Sequence, residues 1–169
     1  MRTAHIVITG NIAGRTWFYE ELGKQGRKIL VPTFYANLTR VDGSLFWFAV
    51  TRDSAEVIFR GLKNRFDRLG ECPPNKTCNP YYGTKHIAPR NGTCLLLNEG
   101  KDSEGRYLVG QGQERRRSIL IHSGPASSLG CMAVAGGKRG WKAFWREVEW
   151  CFTEKPAVEI RVHVEPRLT

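Results

Sequence analysis

The stretch that decides the reading of this chain is residues 115–137, RRRSILIHSGPASSLGCMAVAGG. Ile119, Leu120 and Ile121 make an aliphatic, β-branched run, which predicts a strand over 118–122 ending on His122. Glycine, proline and serine then break regular structure through a tight loop that closes on Gly130-Cys131. Met132-Ala133-Val134 resumes as a short apolar run. A thiol attacks as thiolate, and a nearby imidazole accepts its proton. A histidine at a strand end, with a cysteine nine residues on across a tight loop, is an arrangement that brings the two side chains together. Cys131 is therefore a candidate nucleophile and His122 a candidate base. Gly130 lets the backbone approach a carbonyl, and the amides around Cys131 offer an oxyanion hole. On spacing alone the plainer alternative stands beside this one: a small buried cysteine and a satisfied core histidine.

Outward from this segment, strands dominate. Residues 4–9 (AHIVIT) predict a buried strand bounded by Gly10-Asn11. Residues 29–38 and 45–51 predict a hairpin about Asp42-Gly43, because glycine accepts the positive φ such a turn needs. Residues 54–69 carry Val57, Ile58, Leu62, Phe66 and Leu69 at helical spacing, with Ser54 as a cap. Residues 71–92, with four prolines, read as irregular. Residues 93–98, 107–110 and 118–122 read as short strands. Residues 141–152 (WKAFWREVEWCF) form an amphipathic helix with Trp141, Phe144, Trp145, Val148, Cys151 and Phe152 on one face. Val158, Ile160, Val162 and Val164 alternate with polar residues, the pattern of a half-exposed strand. The class expected is α+β and β-rich, with one or two helices.

A chain of 169 residues is one domain and buries roughly 70 % of its unfolded surface. No run approaches the roughly 18 apolar residues of a membrane-crossing helix, so no membrane insertion is expected. Residues 1–14 lack a signal-peptide pattern. Twenty-six Lys and Arg against sixteen Asp and Glu leave a formal charge of +10. Such a field favours an anionic partner (nucleic acid, a membrane surface or a cell-wall polymer) without choosing among them. Five cysteines are an odd number, so not all can pair within the chain. Cys72 and Cys78 bracket a turn-rich loop that a disulfide would close in an oxidising compartment; two reduced thiols are the alternative. His163 falls on the exposed face of a terminal strand and His5 inside a buried one. Neither has a partner at metal-ligand spacing, and no metal or cofactor is expected.

Residues 121–132 resemble the active-site signature of the L,D-transpeptidase (YkuD-type) superfamily. That signature is a strand ending in His followed by Ser or Gly, then a loop, then Ser-His-Gly-Cys and an aliphatic residue. Ile121-His122-Ser123 matches its first half and Ser128-Leu129-Gly130-Cys131-Met132 its second, with Leu129 where the family has a histidine. The short loop is similar to compact branches found in phage-associated proteins and type VI secretion effectors. Residues 88–94 are similar to the family's Pro-x-Gly-x-Tyr strand entry, with Cys94 in place of the aromatic. The resemblance covers residues 87–152, within a single domain spanning 1–169; residues 1–70 match nothing by sequence and their role is open.

The resemblance implies a YkuD-like β-sandwich or barrel-type catalytic domain and a cysteine peptidase or acyltransferase acting on peptidoglycan tetrapeptide stems. Cys131 would form a thioester, and His122 would be the base, its ring oriented by the Ser123 carbonyl. Gly130 and Cys131 would line the oxyanion hole, and Ser128 would brace the loop. Ala133 stands where the family often has Arg or Asn, so recognition of the substrate carboxylate falls to Arg116 or Arg117, with Arg115 beside them; a solvated basic turn is the alternative. His86 and Tyr82 are expected to line the cleft. The setting implied is the periplasm or cell wall, reached through a secretion apparatus or phage lysis, with an immunity protein or secretion carrier as partner. A basic nucleic-acid-binding module is the competing class, and a different cysteine amidase of the cell wall ranks third; the first leaves the His122–Cys131 loop without a role, and the second usually places cysteine before histidine.

Overall fold

The computed structural model describes residues 2–19, 28–53, 72–75, 80–89, 91–99, 108–109, 116–117, 119–124 and 131–168. Among them the chain is β-rich α+β, with one helix. The elements are β1 (Thr3–Tyr19), β2 (Lys28–Thr39), β3 (Leu45–Thr51), β4 (Tyr81–Ala88), β5 (Gly92–Asn98), β6 (Leu108–Val109), β7 (Arg116–Arg117), β8 (Ile119–Ser123), β9 (Met132–Val134), α1 (Gly137–Thr153) and β10 (Glu159–Val164). Eight strands close a barrel in the order β1-β10-β4-β5-β8-β9-β3-β2, and β6 and β7 form a separate two-stranded ladder. Two seams are parallel, β1–β10 and β8–β9; the other barrel pairings are antiparallel. The two parallel seams face one another across the barrel.

Strand alternation builds the interior, because successive side chains of a strand point to opposite faces. Ile6 and Ile8 of β1, Ala36 and Leu38 of β2, Leu95 and Leu97 of β5, Ile119 and Ile121 of β8, and Val162 and Val164 of β10 all enter one apolar cluster. The helix adds Phe144, Val148 and Cys151 to the same cluster, with Trp141, Trp145 and Phe152 packed on its margin. It packs against β9 and β10, which lie on opposite sides of the barrel, so it closes one barrel end. There Phe144 meets Phe48 at 4.8 Å between ring centroids, and Glu147 takes a two-pronged bond from Arg40 at 2.9 and 2.8 Å. The helix thus starts four residues before the expected span and presents the expected face.

The β2–β3 hairpin turns where Asp-Gly predicts it. Gly43 has φ 87°, its N–H bonds Arg40 O, and Asp42 Oδ1 accepts from the Ser44 amide and hydroxyl.

Two expectations are corrected. β1 does not stop at Gly10 but runs to Tyr19, shifting register twice between Ile8 and Gly14 so that the strand continues past the glycine. The reason for a glycine there is lateral. A Cβ at Gly10 would stand 2.0 Å from Pro166 O, because the C-terminal tail crosses at that point and Leu168 N–H bonds Gly10 O. Residues 71–92 are not irregular throughout, since β4 occupies 81–88; its flanking prolines, Pro80 and Pro89, bracket the strand rather than interrupt its ladder. Residues 3–51, whose role the sequence leaves open, supply three barrel strands, with β1 pairing to β10 and β3 to β9. The helix expected at 54–69 lies outside the described residues.

The end opposite the helix is closed by charge. Arg52 and Asp53 are 2 % and 1 % exposed. Arg167 of the tail reaches Asp53 Oδ1 at 2.6 Å, Arg52 donates to Thr9 O at 3.1 Å, and both guanidinium groups lie over the Phe34 ring.

Candidate active site

The β8–β9 seam sets the geometry. Ile121 pairs with Met132 and His122 with Ala133, in parallel. Facing residues of a parallel pair share a side of the sheet, so Ile121 and Met132 point into the core while His122 and Ala133 point outward. One step back along the same register, Cys131 faces Leu120, and the Leu120 amide donates to Cys131 Sγ at 3.3 Å. His122 and Cys131 are therefore diagonal neighbours on one outward face of adjacent strands. Both are buried, at 0 % and 9 % exposure. Cys131 belongs to a second, smaller apolar cluster on that face with Ala88, Cys94, Leu96 and Leu120.

The His122 ring is oriented locally. Its Nδ1 stands 2.6 Å from Ser123 O. A carbonyl oxygen only accepts, so Nδ1 carries the proton and donates, which places the lone pair of the neutral ring on Nε2. An amide N–H aimed at Sγ favours negative charge on that sulfur. An imidazole lone pair and a sulfur held by an amide donor are among the parts that an activated thiol requires.

The face extends across the sheet. His86 pairs with Cys94 in the β4–β5 ladder, and the β5–β8 register, Leu95 to Ile121, carries Cys94 opposite His122. His86, Cys94 and His122 form one row across three strands. Cys94 is fully buried and its Sγ–H donates to His86 O at 3.6 Å. Burial pushes its thiol above the ordinary range, so Cys94 stays protonated beside the histidine.

The remaining candidates distribute as follows. Ser123 serves through its carbonyl. His86 is half-buried on the same face, two strands from His122. Tyr82 is also on β4, yet its ring lies beneath the Arg161 guanidinium at 3.8 Å, away from the β8–β9 seam. Arg116 and Arg117 are not in a turn: they form β7, paired with Val109 and Leu108, and lead directly to the end of β8 where Leu120 faces Cys131. Ser128, Gly130 and Arg115 lie outside the described residues, as does Cys78 of the expected Cys72–Cys78 bridge.

Sequence reasoning missed the supports of β9. Ala133 N–H bonds the buried Thr51 hydroxyl at 3.1 Å, and Ala135 N–H bonds Ala49 O at 2.9 Å, tying the strand after Cys131 to β3. A threonine ending an apolar run was the sole local signal.

No family model matches the chain, and no curated protein and no solved structure matches it either. Among the described residues, no helix is long and apolar enough to cross a membrane.

Proposed function

We propose that the protein is a cysteine peptidase or acyltransferase of peptidoglycan tetrapeptide stems, of the L,D-transpeptidase (YkuD-type) kind, used as an antibacterial effector. The observation that carries the reading is the Nδ1–Ser123 carbonyl bond, which fixes the His122 tautomer on the face it shares with Cys131. His122 Nε2 takes the Cys131 proton, and the thiolate attacks the carbonyl carbon linking the third stem residue to the terminal D-alanine. The C–N bond breaks, the imidazolium returns the proton to the departing amine, and a thioester remains on Cys131. Water attacking that thioester gives a carboxypeptidase; an amine gives a transpeptidase or an exchanger of D-amino acids. The buried apolar cluster around Cys131 limits water at the reacting sulfur, which strengthens the electrostatic terms there. The +10 charge supports attraction to an anionic wall.

The test is mass spectrometry of a disaccharide-tetrapeptide incubated with the protein, with and without free D-methionine, beside Cys131→Ala. Loss of D-alanine identifies the peptidase, and its replacement by D-methionine the transferase, provided Cys131→Ala is silent. A tetrapeptide and intact sacculi both left untouched would overturn the proposal.

A further inference from the structure

The parallel seam on the far side of the barrel carries a second pair of chemically active side chains. His5 of β1 and His163 of β10 sit on the outward face, on strands adjacent in the sheet although 158 positions apart in the chain. His163 lies on the outward face of the last strand in sequence, as its alternation predicts. β10 is last in sequence but interior in the sheet, flanked by β1 and β4, and both rings are half-buried against each other. His5 Nδ1 and His163 Nε2 are 3.3 Å apart, with ring centroids 5.5 Å apart and tilted by 39°.

We propose that His5 and His163 form a two-histidine site for a divalent transition-metal ion of the Zn²⁺, Ni²⁺ or Cu²⁺ class, the other coordination positions being filled by water. Spacing is the first argument. Two nitrogens bound roughly 2.05 Å from one tetrahedral ion are about 3.3 Å apart, which is the separation the two rings already hold. The second is weakness of the alternative. At 3.3 Å the N···N contact falls just past the long edge of the usual range of about 2.7–3.2 Å for N–H donors, so little is lost when a metal replaces it. Whichever ring carries a proton between the two facing nitrogens, moving it to that ring's other nitrogen presents both lone pairs.

Charge around the pair is arranged compatibly. Arg161, which faces His5 across the seam, is drawn off toward β4, where it stacks on Tyr82 and donates to Pro80 O. Glu165, just past the end of β10, adds negative charge felt at His163. Imidazole suits these ions, and affinity should rise from Zn²⁺ and Ni²⁺ to Cu²⁺.

This site is independent of the reaction proposed above, and the experiment keeps the two apart. Cu²⁺ is titrated into the full chain carrying Cys131→Ala, which removes the thiol on the opposite wall as a competing ligand. Electron paramagnetic resonance then reports the number of coordinated nitrogens. The expected result is one equivalent bound with two-nitrogen coupling, one nitrogen in His5→Gln or His163→Gln, and affinity weaker by on the order of 10²-fold in either, because each loses the chelate. His5→Gln in the otherwise native chain should leave tetrapeptide processing unchanged. Far-UV circular dichroism confirms that each variant is folded. A folded His5→Gln/His163→Gln double variant that binds Cu²⁺ as tightly as its parent, or a parent signal without nitrogen coupling, overturns the proposal.

Discussion

Replacing Gly10 by alanine should detach the C-terminal tail and destabilise the protein by about 3–5 kcal/mol, the usual cost of breaking a buried ion pair from one side. The added Cβ would stand 2.0 Å from Pro166 O, 2.8 Å from Leu168 N and 2.9 Å from the Arg167 Cα. All three are backbone atoms, so no side-chain rotation relieves the clash; the tail must retreat by more than about 1 Å to restore ordinary contact. Arg167 cannot follow that movement and keep its 2.6 Å contact with Asp53, which is 1 % exposed. The Leu168–Gly10 backbone bond goes with it, a further loss of about 1 kcal/mol. The assay is urea denaturation of wild type, Gly10→Ala, Arg167→Ala and the double variant. Both substitutions abolish the same ion pair, so the double variant should cost less than the sum by about 2 kcal/mol or more. Strict additivity, or a Gly10→Ala loss below about 0.5 kcal/mol, would refute the reasoning.

Other outcomes follow from the same geometry. His122→Gln should lower the rate of tetrapeptide processing by roughly 10²–10⁴-fold, while Ser123→Ala should change it little, because Ser123 acts through its carbonyl; steady-state kinetics separates them. Phe144→Ala should cost about 3–5 kcal/mol in chemical denaturation, since that ring is fully buried and packs on Phe48 and Trp141. Burial first, then Glu147, pushes the Cys151 thiol up to about 11, from 9.0. The unfolded chain therefore loses this proton first as pH rises, and stability should fall between pH 9 and 11. Cys151→Ala should flatten that limb of a thermal-melt series.

Local chemistry was legible in the sequence, and lateral chemistry was not. The Asp42-Gly43 turn, the apolar face of α1 and the alternation of β10 each depend on neighbours within a few positions, and each reads directly from residue order. The His122–Ser123 contact, which the resemblance implied, is also local, one residue to the next. β4 was hidden because prolines signal irregularity by composition, whereas their effect depends on where in a strand they fall. The true length of β1 was hidden because its glycine answers to the tail crossing it, more than 150 residues later in the chain. Nothing in residue order singles out Arg52 and Asp53, and only the closed barrel end explains their burial. Cys94 standing opposite His122 is a property of strand register, which no single segment encodes.

The β1–β10 seam also sets the order in which this molecule can be finished. Thr3 pairs with Glu159 and Ile8 with Val164. β1 thus waits for β10 before the wall is complete. Contacts of such long sequence separation slow folding. A chain made from its N-terminus keeps an open edge on β1 until β10 has been made. Termination anywhere before residue 159 leaves that edge unpaired, so the barrel stays unclosed until β10 is in place.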